Sequence, residues 1–204
     1  MSIVRIKNPY PFILMLCLSI TSCASTSITE DWVEEGLNGT YEHPMILAIA
    51  DSQQTRRIYE KYFVSELKKK NITAIPSYEL ISSKQKLNRE TVVHAIRGTD
   101  IDSVLVTYLI LADSKIQVSE SPIDMGYSGN VENLMMSDTL ISVRGRSNSA
   151  EIIGLKSDFY DVASKKLVWS VQTQSVAPES IDQVITEVSD LLIGRLYDDG
   201  VLKE

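Results

Sequence analysis

The sequence predicts an α/β (α+β) domain: a mixed β-sheet that begins β-α-β-α-β, continues in β-hairpins and ends with an amphipathic helix packed on it. Three observations predict this. The runs Met45–Ala50 and Asp102–Ala112 are apolar on both faces, as central strands buried between two layers are. Between them, apolar residues recur at helical spacing. After them the pattern falls to a period of two, and the chain closes on one long helical stripe.

The elements follow in order. Met45-Ile-Leu-Ala-Ile-Ala50 is the first strand of the domain. Asp51-Ser52 is a cap signal, and Ile58, Tyr59, Tyr62, Phe63 and Leu67 line one side of a helix running from about Arg56 to Lys70. Lys68, Lys69 and Lys70 suit the negative end of that helix, and Asn71 can terminate it. Ile72–Pro76 is a second strand with the proline at its exit. Asn88–Arg97 is a second helix, with Val92, Val93 and Ile96 apolar and Gly98 where a left-handed cap belongs. In the third strand, Val104, Val106, Tyr108 and Ile110 face one way, and Leu105, Leu109 and Leu111 the other. Residues 113–136, with Pro122, Gly126, Gly129 and Asn130, carry no assignable element. Thr139–Arg146 then turns at Ser147-Asn148-Ser149 into Glu151–Asp161, and Ala163-Ser164-Lys165 turns into Leu167–Val176. On that last strand Leu167, Trp169 and Val171 share a face, and Ser170, Gln172 and Gln174 the other. Ser180-Ile-Asp-Gln183 is a capping-box pattern. It opens a helix with the stripe Ile181, Val184, Ile185, Val188, Leu191, Leu192 and Leu196.

Composition bounds the function. The chain has 204 residues, 44% hydrophobic and 23% charged, which is globular. Its 20 basic and 27 acidic residues give −7, so no nucleic-acid footprint is expected. Two cysteines exclude a disulfide framework and a four-cysteine zinc site, and two histidines speak against a multi-histidine metal centre. No metal or cofactor is expected. The Ala50–Arg56 turn has no glycine, so backbone cannot approach a phosphate as a nucleotide cradle requires.

The leader is more informative. Arg5 and Lys7 precede an apolar stretch from Phe12 to Ile20, interrupted only by Ser19. Nine helical residues span roughly 14 Å, about half of a bilayer core, which fits a secretory signal better than a membrane span. Ile20-Thr21-Ser22-Cys23 resembles the bacterial lipobox. That resemblance implies cleavage before Cys23 and lipid, palmitate among the acyl chains, on its sulfur and amine. A conventional cut after Ala24 and an uncleaved anchor are the competing readings. Cys17 would leave with the leader. Residues 1–22 are thus expected to be signal peptide, 23–43 a lipidated cysteine with a flexible tether, and 44–204 a single periplasmic domain. Within the tether Trp32 and Val33 are exceptions, expected to dock on the domain, with the membrane surface as the alternative. Each buried methylene contributes about 0.8 kcal/mol, so two or more acyl chains anchor stably. The acidic body gains nothing from anionic headgroups. Ala24 and Ser25 after the cysteine resemble the enterobacterial pattern for outer-membrane export, facing the periplasm.

Candidate chemical residues all have ordinary readings. His43 and His94 are expected to face solvent, and no Ser-His-Asp set can be assembled around them. Gly126-Tyr-Ser-Gly129 misses the nucleophile-elbow spacing by one residue. Asp100 and Asp102 pair at a helix-to-strand turn, where acids serve the backbone more often than a cation. Asp198-Asp199 reads as a solvated tail, and Arg144-Gly-Arg146 as a solvated turn. The catalytic assignment is therefore none. Segment 113–136 is long for a structureless loop and carries Ile123, Met125, Tyr127, Leu134, Met135 and Met136. Met125, Tyr127, Leu134, Met135 and Met136 are the candidate partner-contact residues, with packing on their own sheet as the alternative.

The lipobox, the aliphatic first strand, the Arg56–Lys70 helix and the short second strand together resemble a class of small bacterial lipoproteins. So does the Asp161…Lys166-Leu-Val-Trp-Ser170 hairpin before a terminal amphipathic helix. These have a domain like the amino-terminal domain of TolB, a shape shared by curli-secretion and polysaccharide-export lipoproteins. The resemblance covers about residues 44–200. It implies a non-catalytic envelope assembly factor that binds an envelope protein or itself. A periplasmic enzyme on cell-wall or lipid material and a small-ligand carrier are the alternatives.

Overall fold

The structure is a computed structural model and describes residues 26–37, 40–113 and 152–203. In chain order the elements are β1 (Thr26–Val33), β2 (Pro44–Ile49), α1 (Gln53–Lys69), β3 (Ile75–Pro76), α2 (Ser77–Leu80), α3 (Arg89–Ile96), β4 (Ser103–Asp113), β5 (Ile152–Asp161), β6 (Leu167–Val176) and α4 (Ile181–Asp198). The strands form one mixed sheet in the order β1-β6-β5-β4-β2-β3. β2 is parallel to β3 and β4; the other pairs are antiparallel. The α/β class expected from the sequence is the class observed.

Local chemistry sets the helix ends. The Ser52 hydroxyl accepts the Gln54 and Thr55 N–H groups at 3.1 and 3.3 Å, and Asn71 follows α1 at φ +65°. Asn88 caps α3 through the Thr91 N–H, and Gly98 lies beyond it at φ +79°. Ser180 caps α4 through the Gln183 N–H. The Gln183 side chain reaches back one residue further than the capping box predicts and accepts the Glu179 N–H at 2.8 Å.

Two layers enclose the sheet. On one face α1 and α4 bury Tyr59, Phe63, Leu67, Val188, Leu192 and Leu196 against Ile46, Leu105, Phe159, Trp169 and Val171. The other face, over β2 and β4, carries Met45, Leu47, Val104 and Val106 under Ile81 and Val92. Beyond that cover, towards β1, this second face carries the polar residues Lys156, Asp158, Ser170 and Gln172, with exposed Trp32 beside them.

Four expectations are corrected. Residues 26–33, placed in a tether, are instead an edge strand antiparallel to β6. A bulge between Ile28 and Glu30 breaks the alternation, so Ile28 and Val33 both pack on the core although five residues apart, and the segment reads as merely polar. Trp32 does not dock on the domain; it is 44% exposed. The second strand shrinks to Ile75–Pro76, followed by the one-turn α2. β5, over Ile152–Asp161, is paired with β4 on one side and β6 on the other, and Thr139–Arg146, expected to lead into it, lies outside the described residues. Finally, bulges change two faces. The one between Phe159 and Tyr160 pairs Tyr160 with Leu167, which joins the second core cluster, away from Trp169. The one between Leu109 and Leu111 sets Leu111 opposite Gly154, away from the Leu109 face.

The signal, Cys23, the elbow-like Gly126–Gly129, Arg144, Arg146 and the candidate contacts Met125, Tyr127, Leu134, Met135 and Met136 lie outside the described residues. Among those described, no helix is long and apolar enough to cross a membrane.

Candidate functional site

The strands β4, β5, β6 and β1 set one transverse row of side chains on the polar part of the second face. Asp158 on β5 lies opposite Val106 and Ser170, and Ser170 lies opposite Trp32. The next row sets Tyr108, Lys156, Gln172 and Glu30 side by side. Period-two alternation brings these residues together from four strands, of which β5 and β6 are neighbours in the chain and β1 and β4 are remote from them.

Asp158 is the buried centre of the strip. Its carboxylate accepts the Ser170 hydroxyl at 2.6 Å and the Tyr108 hydroxyl at 3.2 Å, with Lys156 Nζ at 3.8 Å. Burial raises its pKa above the usual carboxylate range, against the lowering effects of Ser170, Lys156 and Tyr108. Neighbouring Tyr160 is also pushed up, first by burial and then by the Asp158 charge. The polar partners of Asp158 come from both adjacent strands, so the group clamps β4, β5 and β6 together. At the rim the character changes. Gln172 donates to Glu30 at 2.6 Å, and Trp32 stands open beside them on β1, whose outer side pairs with no described strand. Chemically, the inner strip ties neighbouring strands together through the Asp158 carboxylate. The outer strip offers an aromatic surface and a row of backbone donors and acceptors.

Other expected residues are placed apart from this strip. Asp102 serves the backbone: Oδ2 accepts the Glu42 and His43 N–H groups at 2.8 and 3.0 Å, and Oδ1 accepts the Ser103 hydroxyl at 2.7 Å. Asp100 is exposed nearby, and the two carboxylates share no partner. His94 is exposed on α3, and His43 Nδ1 lies 4.0 Å from Asp102. Tyr41, in the same region, is pushed up to about 12 by burial and by Asp161. Among the described residues no group of three or more His, Cys, Asp or Glu is placed to hold a metal. Asp198 is solvated as expected, but Asp199 is not a tail residue. It accepts the Trp169 indole N–H at 2.8 Å and lies 3.0 Å from Arg195 Nε, while Arg195 also pairs with Asp31 on β1.

A second buried polar cluster escaped sequence reading. Glu60 on α1 is fully buried. Its Oε1 accepts from Arg56 Nε at 2.9 Å, Ser77 Oγ at 2.7 Å and the Ala48 N–H at 3.0 Å, and its Oε2 accepts the Tyr78 N–H. Arg56 and Glu60 stand four apart on the side of α1 that carries Tyr59 and Phe63, and that shared side was the available signal. For Asp158, the signal was an acid one residue from Phe159 and two from Tyr160 in a strand otherwise rich in large apolar groups.

No protein-family model matches the chain, and no curated protein does. Among solved structures, a PelC dodecamer from Paraburkholderia phytofirmans is similar with a TM-score of 0.47 and 11% identity, over 88% of this chain and 99% of that one. A second structure, of a PelC point variant from the same organism, gives a TM-score of 0.43 and 10% identity over the same shares. At those values neither likeness assigns a role to any residue here.

Proposed function

We propose that this protein is an outer-membrane lipoprotein, held by lipid on Cys23, whose periplasmic domain is a non-catalytic binding and assembly component of the envelope acting by protein–protein contact. The observation that carries this reading is β1: an eight-residue strand that begins three residues after Cys23, pairs with no described strand on its outer side and leaves Trp32 exposed. A partner strand added there would gain main-chain hydrogen bonds, and Trp32 would supply an apolar anchor beside it. Met125, Tyr127, Leu134, Met135 and Met136 are the second proposed contact group.

The test has two parts. Mass spectrometry of the mature amino terminus should find acylated Cys23; a bare or unprocessed terminus removes the anchor. In-cell crosslinking from a photoreactive residue at position 32 should capture one defined envelope protein or a second copy. Diffuse capture, no stronger than from a control at exposed position 94, removes the edge as the contact. Deletion of 119–136 should leave a folded domain that no longer associates; unchanged association removes the second group.

A further inference from the structure

Six large apolar side chains are exposed among the described residues, and four of them gather at one end of the molecule: Ile110, Leu111, Val176 and Ile181, each 38–49% exposed. The sheet register puts them there. Thr26 lies opposite Ser175, so Val176 is the next residue beyond that pair, facing Ile152 at the end of the ladder. Leu111 lies opposite Gly154, in the row of Gln174 and Ser27, and Ile110 sits in the adjoining bulge. Ile181 opens α4 five residues after Val176. They lie on the sheet and on the helical layer above it, so the end of the molecule presents apolar groups from both.

The chain enters at this same end. Thr26 is the first described residue, and Cys23 precedes it by three residues, within about 11 Å at full extension. A lipid on Cys23 therefore leaves this end no room to move away from the bilayer by more than that. We propose that this end rests on the lipid surface, with Ile110, Leu111, Val176 and Ile181 seated in its interfacial layer, so that the anchor fixes the orientation of the domain as well as its location. The proposal rests on the reading that Cys23 is acylated. The contact is apolar: exposed Glu179 and Asp182 flank Ile181 and give no attraction to anionic headgroups. Between a bilayer and a second copy, the short connection favours the bilayer, because a second copy has no comparable tie to this end.

The test uses the full acylated lipoprotein in phosphatidylcholine vesicles with brominated acyl chains. An environment-sensitive fluorophore is placed on Val176→Cys, on Ile181→Cys or, as a control at the opposite end, on Ser164→Cys in the β5–β6 turn. Both substituted apolar positions are exposed, and two independent sites guard against one of them perturbing the fold. Labels at 176 and 181 should lose most of their emission to bromine, while the label at 164 should lose none. Adding anionic lipid should not increase the loss. Equal quenching at all three sites, or none at 176 and 181 in protein whose amino terminus is acylated by mass, overturns the orientation and leaves the anchor standing. Self-quenching between copies at 176, without loss to bromine, assigns the surface to a second copy and also overturns it. A bare amino terminus overturns the anchoring reading and this proposal together.

Discussion

At the scale of single residues, two buried carboxyl groups behave differently because their neighbours differ. Glu60 accepts four hydrogen bonds, one of them from a paired guanidinium, so its charge is fully satisfied. Truncating it leaves Arg56 buried and uncompensated and strands the Ala48 and Tyr78 N–H groups. Glu60→Ala should cost about 3–5 kcal/mol, read as a lower urea midpoint at unchanged slope. Asp158 has weaker compensation, and burial raises its pKa. Between the unfolded carboxyl pKa, about 4, and that raised value, the native state holds a proton the unfolded state has lost, so this group's contribution falls as pH rises. Asp158→Asn removes the titration while keeping one acceptor oxygen. Its melting temperature relative to wild type should therefore improve from pH 4 to pH 8; a pH-independent difference would show that Asp158 ionises as in the unfolded chain. Neither group was marked by sequence. An acid or base within an amphipathic pattern is expected at the solvent side, and only the fold decides which i,i+4 pair turns inward.

At the scale of elements, α1, α3, α4 and the central strands were legible, while the one-turn α2 and the faces of the outer strands were not. Ser52 and Ser180 cap where short polar side chains precede an apolar stripe, and Asn88 does the same for α3; each accepts N–H groups of the first turn. The central strands are apolar on both faces, so their assignment does not depend on parity. Strands β1, β4 and β6 each meet an irregular register, and one extra residue reverses every later assignment. That reversal hid β1 inside a polar stretch and misplaced Leu111 and Leu167. It also explains Gly154. A Cβ there would lie 2.9 Å from the Leu111 Cβ, closer than such atoms approach. Gly154→Ala should cost about 1–3 kcal/mol by thermal or chemical denaturation, because the neighbour is the root of a side chain and cannot swing away. The polar strip around Asp158 was likewise not legible, since it exists only once β4, β5 and β6 lie side by side.

At the scale of the whole molecule, the two margins of the sheet are unequal. On the β3 side, the strand is two residues long and its Pro76 has no N–H to offer. Where β3 stops, the Glu60 carboxylate takes the Ala48 N–H that a longer neighbour would have bonded. That margin offers little to a further strand, while the outer side of β1 pairs with no described strand. Growth of a continuous fibre by strand addition requires two mutually compatible open margins on each unit. With one sealed by a glutamate, the pairing proposed for the other would end at two partners, so an edge contact of that kind would join two molecules without seeding a polymer.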